Sequence, residues 1–570
     1  MRLHQPIRRA RIATIAAAIA TMSMSAFGQS EQSRLTGALQ AAAHAAAQQP
    51  GESVRRLSID EAVKLALEQN LGIQIQRIDP QIQDTAIAQA RSFWAPQFST
   101  TITKNSNQQP VINIFSATQP SVTTGQFFSG LTLAEQLPWG ANYTANWNNS
   151  RFTTTDPTNT FNPRLQSNLS LNFTQPLLRN RSIDQIRQQV AAGKKFRDLS
   201  DIQLDSVIVQ TMRGVRNAYW DLSTAINNLK AQQESLALSQ QSLKDEQKRV
   251  EIGVRAPIDI VQAQAEVASN EERVIVAEAA IKRAQDNLRA LILDPGTSDF
   301  WTTAFEPSDV APFSEQAIDM DAAVRNALDK RSDLRAAKNS LERSDMDIRY
   351  LRNQILPDVN AQVNYGAIGV GGVQLPGRNP FTGEFTGAIT TPIERSYATT
   401  LSDVFRSAYP QWTFGVQIAY PLGASTSQAN LARAKLEYQQ AQTQLKNMEL
   451  QIATQVRDSA RNVQTNQKRV QSARASRELQ EKKLEAEEKK LAAGMSSSFF
   501  VFQAQRDLSL ARTIEIQAVS DYNKSLVDFE AVQETSLAGP TSLTSAGAGA
   551  IIPVPTSAAA PGGVTSASQR

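Results

Sequence analysis

Apolar positions between Gly423 and Gly539 recur at spacings of three, four and seven: Leu445, Met448, Ile452, Val456, Ala460, Val463, Val470 and Ala473. That is the stripe of a helix packed along its length against other helices. The stretch holds no proline and a single internal glycine, Gly494, inside AAGMSSSFFVFQAQ. The period resumes beyond it to about Glu534, which predicts two long antiparallel helices joined by a tight turn. Ile183 to Glu251 is also free of proline and carries Leu204, Ile208, Val215, Leu222, Ile226 and Leu229 on one stripe. Roughly 70 helical residues at about 1.5 Å each extend about 100 Å, several times the thickness of a bilayer's hydrocarbon. A helix that long has no core of its own, so its stripes must be covered by neighbouring helices.

The hairpin pattern occurs twice. RVEIGVRAPIDIVQAQAEVA aligns with KLAAGMSSSFFVFQAQRDLS; Gly494 follows Gly253 by 241 residues, and Gln503 follows Gln262 by the same interval. A second echo precedes each hairpin: Asp60, Ala62, Val63, Ala66, Leu67, Arg91 and Pro96 return 261 residues later as Asp321, Ala323, Val324, Ala327, Leu328, Arg352 and Pro357. The chain therefore reads as two tandem copies of one unit: helix, polar and aromatic segment, long hairpin. We expect the first copy at 57–295, a small linker at 296–318 and the second copy at 319–537. In the first copy a helix spans Ser58 to Phe93, opened by the capping box Ser58-Ile59-Asp60-Glu61 and kinked or interrupted at Pro80.

After Pro96 and Pro357 the period changes to two. Phe98, Thr100 and Ile102 alternate with Ser99, Thr101 and Thr103, and Val359, Ala361, Val363 and Tyr365 with Asn360, Gln362 and Asn364. The returning segments Leu169-Leu171-Phe173 and Phe414-Val416-Ile418-Tyr420 behave alike. Each is a strand with one apolar face and one of Asn, Gln, Ser and Thr, a pattern shared by soluble sandwiches and membrane barrels. Long loops are expected at 106–124 and 371–409. A further hairpin candidate, Phe127 to Trp147 with a turn at Pro138-Trp139-Gly140, either adds two barrel strands or lies outside the membrane; the pattern leaves both open.

Residues 1–28 carry Arg2, Arg8, Arg9 and Arg11, an apolar stretch and Ala26-Phe27-Gly28, which predicts a secretory signal cleaved before Gln29. Sec export is the expected route, although Arg8-Arg9 hints at twin-arginine export. Four arginines and no acid leave with the signal, so the formal charge of +4 falls to 0 and nucleic acid is not an indicated partner. Residues 29–56 are Ala/Gln-rich and 538–570 are rich in Ala, Gly, Ser, Thr and Pro; both read as unstructured segments.

There is no cysteine, which excludes disulfides, thiolate metal sites and a cysteine-linked lipid anchor. The two histidines, His4 and His44, lie in the signal and in the Ala/Gln segment. No catalytic triad, HExxH site or phosphate-binding loop can be assembled, so neither an enzyme nor a cofactor or metal is expected.

The two-copy plan, the signal, the Gln175-Pro176-Leu177 and Tyr420-Pro421-Leu422 transitions and the hairpin turns resemble the TolC-like outer-membrane efflux proteins over about residues 57–537. The resemblance implies an α+β protomer: long helical hairpins forming a periplasmic tunnel, and four β-strands contributing to a shared outer-membrane β-barrel of a homotrimer. Four strands alone cannot close in lipid, whereas four from each of three chains close at about twelve. It further implies a passive exit duct of a tripartite efflux or type I secretion system. The expected partners are a periplasmic adaptor, an inner-membrane pump and outer-membrane lipid. The alternative from another class is a pore-less periplasmic coiled-coil tether or adaptor.

In that family the hairpin turns form the periplasmic entrance and meet the adaptor. Carried over, Gly253 and Gly494 match the turn glycine; Ser497 matches the Ser/Thr position, where Ala256 departs; Asp259 matches the acidic position, where Phe500 departs. A tyrosine and an arginine that close the entrance in some members correspond to Leu491 and Ser496. The candidate entrance residues are thus Asp259, Phe500, Arg255 and Ser496, and the candidate adaptor-contact turns are Gly253, Val254, Ala256 and Pro257 with Gly494, Met495 and Ser497. The plainer readings are that Asp259 offsets a helix dipole after Pro257, that Ser497 caps a helix, and that Phe499 and Phe502 pack between helices while Phe500 points elsewhere. The charge run Glu481 to Lys490 reads as a solvated face or an adaptor dock.

Overall fold

The computed structural model describes residues 53–111, 120–156, 159–253, 256–296, 300–309, 313–315, 317–376 and 391–537. The expected signal, the Ala/Gln segment up to residue 52 and the 538–570 tail lie outside these residues. The chain runs β1 (Ser53–Leu57), α1 (Ile59–Gln69), α2 (Leu71–Arg91), β2 (Gln97–Pro110), β3 (Ser121–Gln136), β4 (Asn142–Thr154), β5 (Phe161–Pro176), α3 (Gln185–Glu251), α4 (Pro257–Ile292) and β6 (Thr303–Pro307). It continues with α5 (Met320–Lys330), α6 (Ser332–Gln354), β7 (Asp358–Gln374), β8 (Ile393–Arg395), α7 (Tyr397–Phe405), β9 (Pro410–Ala419), α8 (Thr426–Ala492) and α9 (Ser498–Val532). Two compact units divide them: a small one holding residues 53–55 and 300–305, and a large one holding the rest. In the small unit the rings of Phe300 and Trp301 meet edge to face at 4.8 Å.

In the large unit α3 and α8 are each 67 residues long, as the apolar stripes require. Asp184 and Ser425 cap their N-termini, accepting from the backbone N–H of Arg187 at 2.7 Å and of Gln428 at 3.3 Å. The α8 stripe is where expected. Ile452 and Val456 pack with Ala323, Ala327, Leu334 and Val532, while Val463, Val470 and Ala473 pack with Ala518 and Tyr522. Leu484 closes the far end against Val501, Ala504 and Leu508 of α9, with Leu238 of α3 alongside. Helix α3 in turn packs on α1, α2, α4, α6 and α9, so few of its apolar residues lack a neighbour.

The helix expected from Ser58 to Phe93 is broken, but at Asn70 rather than at Pro80. Asn70 turns extended, its side-chain carbonyl accepts from Ile73 N–H at 3.2 Å, and its amide donates to Leu291 O at 3.0 Å. That tertiary hydrogen bond rewards a break there, while Pro80 is accommodated inside α2. The second copy breaks at Arg331, again 261 residues later. Arg331 is only 1% exposed and forms a two-pronged pair with Asp333, at 3.0 Å from Nε and 2.6 Å from Nη2, plus a bond to Gln455 Oε1 at 2.9 Å.

Among the described residues six long strands form one antiparallel sheet in the order β2-β3-β4-β5-β7-β9, with the short β8 beside the last part of β7. The four strands read from the period, β2, β5, β7 and β9, are present. The hairpin left open joins them as β3 and β4, inserted between β2 and β5. The expected loops also shrink, because β2 continues to Pro110 and β3 starts at Ser121. Asn107 and Pro110 there have poor strand propensity, but the backbone of this stretch completes the ladder with a neighbour. The expected loop at 371–409 contains α7, whose Thr400 and Val404 are buried against β7. It sits over Gly369 and Gly371, where a Cβ would collide with Thr400.

Candidate functional site

Two regions carry the expected function: the hairpin tips and the two faces of the sheet. At the tips, Gly253 and Gly494 adopt φ of +78° and +79°, the left-handed values that end α3 and α8 and that side chains with a Cβ resist. Met495 N–H reaches back to Lys490 O at 2.9 Å and Gly494 N–H to Leu491 O at 3.1 Å, closing the turn. Val254 and Arg255 lie outside the described residues. Ala256 is the N-cap of α4 without a capping side chain, Pro257 opens that helix, and Asp259 stands in its first turn. Ser497 occupies the N-cap of α9, yet its side chain makes no capping hydrogen bond, so the capping reading fails on this point. Ser496 is engaged instead, donating to Glu487 at 2.9 Å.

The structure brings the two tips together through residues the sequence did not single out. Ser498 donates to the buried carboxylate of Glu246, seven residues before Gly253, at 2.6 Å; Arg249 approaches the same oxygen at 3.2 Å. Gln505 donates to Ser242 at 3.1 Å and Arg506 faces Glu266 at 3.4 Å. A lone Glu in a charged helix gives no local signal of such burial; only the approach of α9 supplies it. Val501 and Phe502 are buried as core, whereas Phe499 is not: it is 52% exposed, Phe500 54% and Met495 75%. The rings of Phe499 and Phe500 meet edge to face at 5.6 Å, so the apolar surface at this tip is a pair, not Phe500 alone. The charge run is satisfied partly within itself, with Lys489 on Glu485 at 2.7 Å and Lys490 on Glu487 at 2.6 Å, and partly by neighbours, with Glu481 on Arg477 and Arg512 and Lys483 on Asp507 of α9. The Lys490 ammonium, and then the Ser496 hydroxyl, hold the Glu487 carboxyl below the usual carboxylate range.

The sheet faces are sorted by chemistry across all six long strands. Following the register, Phe98, Leu133, Ala145, Leu171, Tyr365 and Trp412 lie across one face, and Phe173, Val363 and Phe414 continue it. Most of these large side chains are exposed, as are Ile102, Phe127, Val416 and Ile418 on the same face. The opposite face carries Ser99, Thr101, Thr132, Thr144, Asn146, Ser170, Asn172, Asn364 and Gln362. There Thr132 donates to Asn146 at 2.9 Å and Gln362 to Gln417 at 3.0 Å. An exposed apolar band backed by a polar, hydrogen-bonded face is the pattern of a lipid-exposed barrel wall. Among the described residues no helix is long and apolar enough to cross a membrane, which says nothing of such a wall.

A family model described as outer membrane efflux protein matches residues 62–292 and 323–532, once over each copy. The chain belongs to the outer membrane efflux protein family. Solved structures of TolC-like channels share its fold. The CmeC outer membrane channel of Campylobacter jejuni matches with 14% identity, 84% of this chain and 85% of that one covered, and a TM-score of 0.57. CusC gives 14%, 84%, 92% and 0.59, and the MtrE outer membrane channel of Neisseria gonorrhoeae, solved in an open state, gives 16%, 84%, 89% and 0.56. No match was found among curated proteins. These relatives are transport proteins rather than enzymes.

Proposed function

We propose that three copies of this chain form the exit duct of a tripartite efflux or type I secretion assembly. The strands lie in the outer membrane and the long helices in the periplasm. The observation that carries the reading is the two-faced sheet with both long edges open: among the described residues β2 and β9 each have a neighbour on one side only. In lipid, an unpaired row of backbone N–H and C=O groups is not tolerated, so the edges must close on other copies of the chain. A pore-less tether has no use for an exposed apolar band backed by a polar face, and this speaks against the alternative. Transport through such a duct is passive. A periplasmic adaptor docks at the tips, at Gly253, Ala256 and Pro257 and at Gly494, Met495 and Ser497, and an inner-membrane pump supplies the energy.

The test is direct. Outer-membrane fractions should contain the protein, native mass in detergent should give three chains, and the purified oligomer should conduct in planar bilayers. A chain that stays in the soluble periplasmic fraction, or that conducts as a monomer, overturns the reading.

A further inference from the structure

We infer that the shared barrel of this protein has eighteen strands rather than about twelve, because the β3–β4 hairpin is a structural part of the wall. The inference rests on the proposed trimer and goes beyond it. The described residues of each chain bring six long strands in one continuous sheet, and three copies of six make eighteen. At about 4.8 Å between strands and a tilt of about 40°, eighteen strands enclose a backbone diameter of roughly 36 Å, against roughly 24 Å for twelve.

The hairpin cannot be set aside as an external flap. Among the described residues β2 has no other partner: its register with β3 runs unbroken from Gln97↔Ala134 to Pro110↔Ser121. Joining β2 directly to β5 would require tearing that ladder and the one between β4 and β5. The hairpin's two faces also continue those of its neighbours. Leu131 and Trp147 stand in line with Leu169 on the apolar face, and Thr132 and Asn146 with Ser170 on the polar one. A hairpin lying against the outside of a narrower barrel would present one of these faces wrongly, either Asn and Thr to lipid or Leu and Trp to water.

The hairpin is held at its turn and at the middle of β4. At its turn, Gly140 has a φ of +94°, and a Cβ there would meet Asn180 O at 2.8 Å, so the turn is seated on the segment that leads into α3. Farther along, Trp147 Nε1 donates to Ser167 of β5 at 3.0 Å, and its ring meets Phe405 of α7 edge to face at 5.7 Å. Because the helical part still contributes two hairpins per chain, the insertion widens the strand ring alone. The narrowest point of the path therefore lies among the helices, and the barrel does not select cargo by size.

The chain has no cysteine, so single cysteines report without background. Tyr143→Cys, Ala145→Cys and Trp147→Cys, and separately Thr144→Cys, Asn146→Cys and Asn148→Cys, are introduced into the full protein in outer membranes and treated with a small water-soluble maleimide. The expected result is alternation, with the first set protected, Tyr143 and Ala145 by lipid and Trp147 by β5 and α7, and the second labelled from the lumen. Equal labelling of both sets overturns the inference. Electron cryo-microscopy of the wild-type oligomer in nanodiscs should count eighteen strands from three chains. Three chains closing on twelve strands would sink this inference while leaving the exit-duct reading intact; the absence of any closed ring would sink the reading itself.

Discussion

Tyr219 shows how one buried group ties distant segments together. Its hydroxyl is fully enclosed, donates to the Asp309 carboxylate at 2.8 Å and accepts from Asp309 N–H at 3.1 Å, while Asp309 also accepts from Ile59 N–H at 2.8 Å. Burial, reinforced by the Asp309 carboxylate, pushes the phenol up to about 12. Its neutral form is the one that fits the fold. The stabilisation is therefore complete below pH 10, where the unfolded phenol titrates, and is lost as pH rises toward 12, by up to about 3 kcal/mol. Tyr219→Phe should cost about 1–3 kcal/mol at neutral pH and flatten the loss between pH 10 and 12, checked by denaturant unfolding across that range. Arg331→Ala should cost about 3–5 kcal/mol, measured the same way, because it strands Asp333 and empties a fully buried site. At the α8–α9 tip, Phe500 and Phe499 form an exposed apolar pair; if the tips line the entrance of the proposed trimer, three copies make a collar able to close a path by dewetting. Phe500→Ala should raise single-channel conductance, and Asp259→Asn should lower cation preference with little change in stability; unchanged conductance with a weakened oligomer would assign Phe500 to packing.

At the scale of elements, the long helices draw their stability from neighbours rather than from propensity. Helix α8 is strongly polar, and its stripe is buried by α5, α6 and α9 in succession. The strands depend on one another in the same way, through ladders that carry Asn- and Gln-rich segments such as Asn105–Gln109 as extended chain. The β3–β4 turn is seated closely enough for a substitution to disturb it. Gly140→Val places a branched side chain at φ +94° and within 3 Å of Asn180 O and of the Arg187 guanidinium. It should lower the yield of assembled oligomer and the temperature at which it dissociates on semi-native gels, whereas Thr144→Ser, facing the opposite side of the sheet from Tyr143, should leave both unchanged.

At the scale of the molecule, much of the design was legible along the chain. The 3.6-residue stripes, the period-two segments and the offsets of 241 and 261 residues are local or self-referential patterns, and they suffice for long helices, two-faced strands and a duplicated plan. The turn glycines were legible because a positive φ demands a residue type. Other features required the folded chain. Asn70, not Pro80, breaks the first helix because Leu291, far away in sequence, accepts its amide hydrogen bond. Glu246 becomes a buried link between the two tips only because Ser498 arrives beside it. The hairpin of residues 121–154 enters the sheet because β2 and β5 each offer it a free ladder edge. Period two states which face a side chain takes. It does not state which strand lies alongside, because backbone pairing is blind to side-chain order until the whole sheet is assembled.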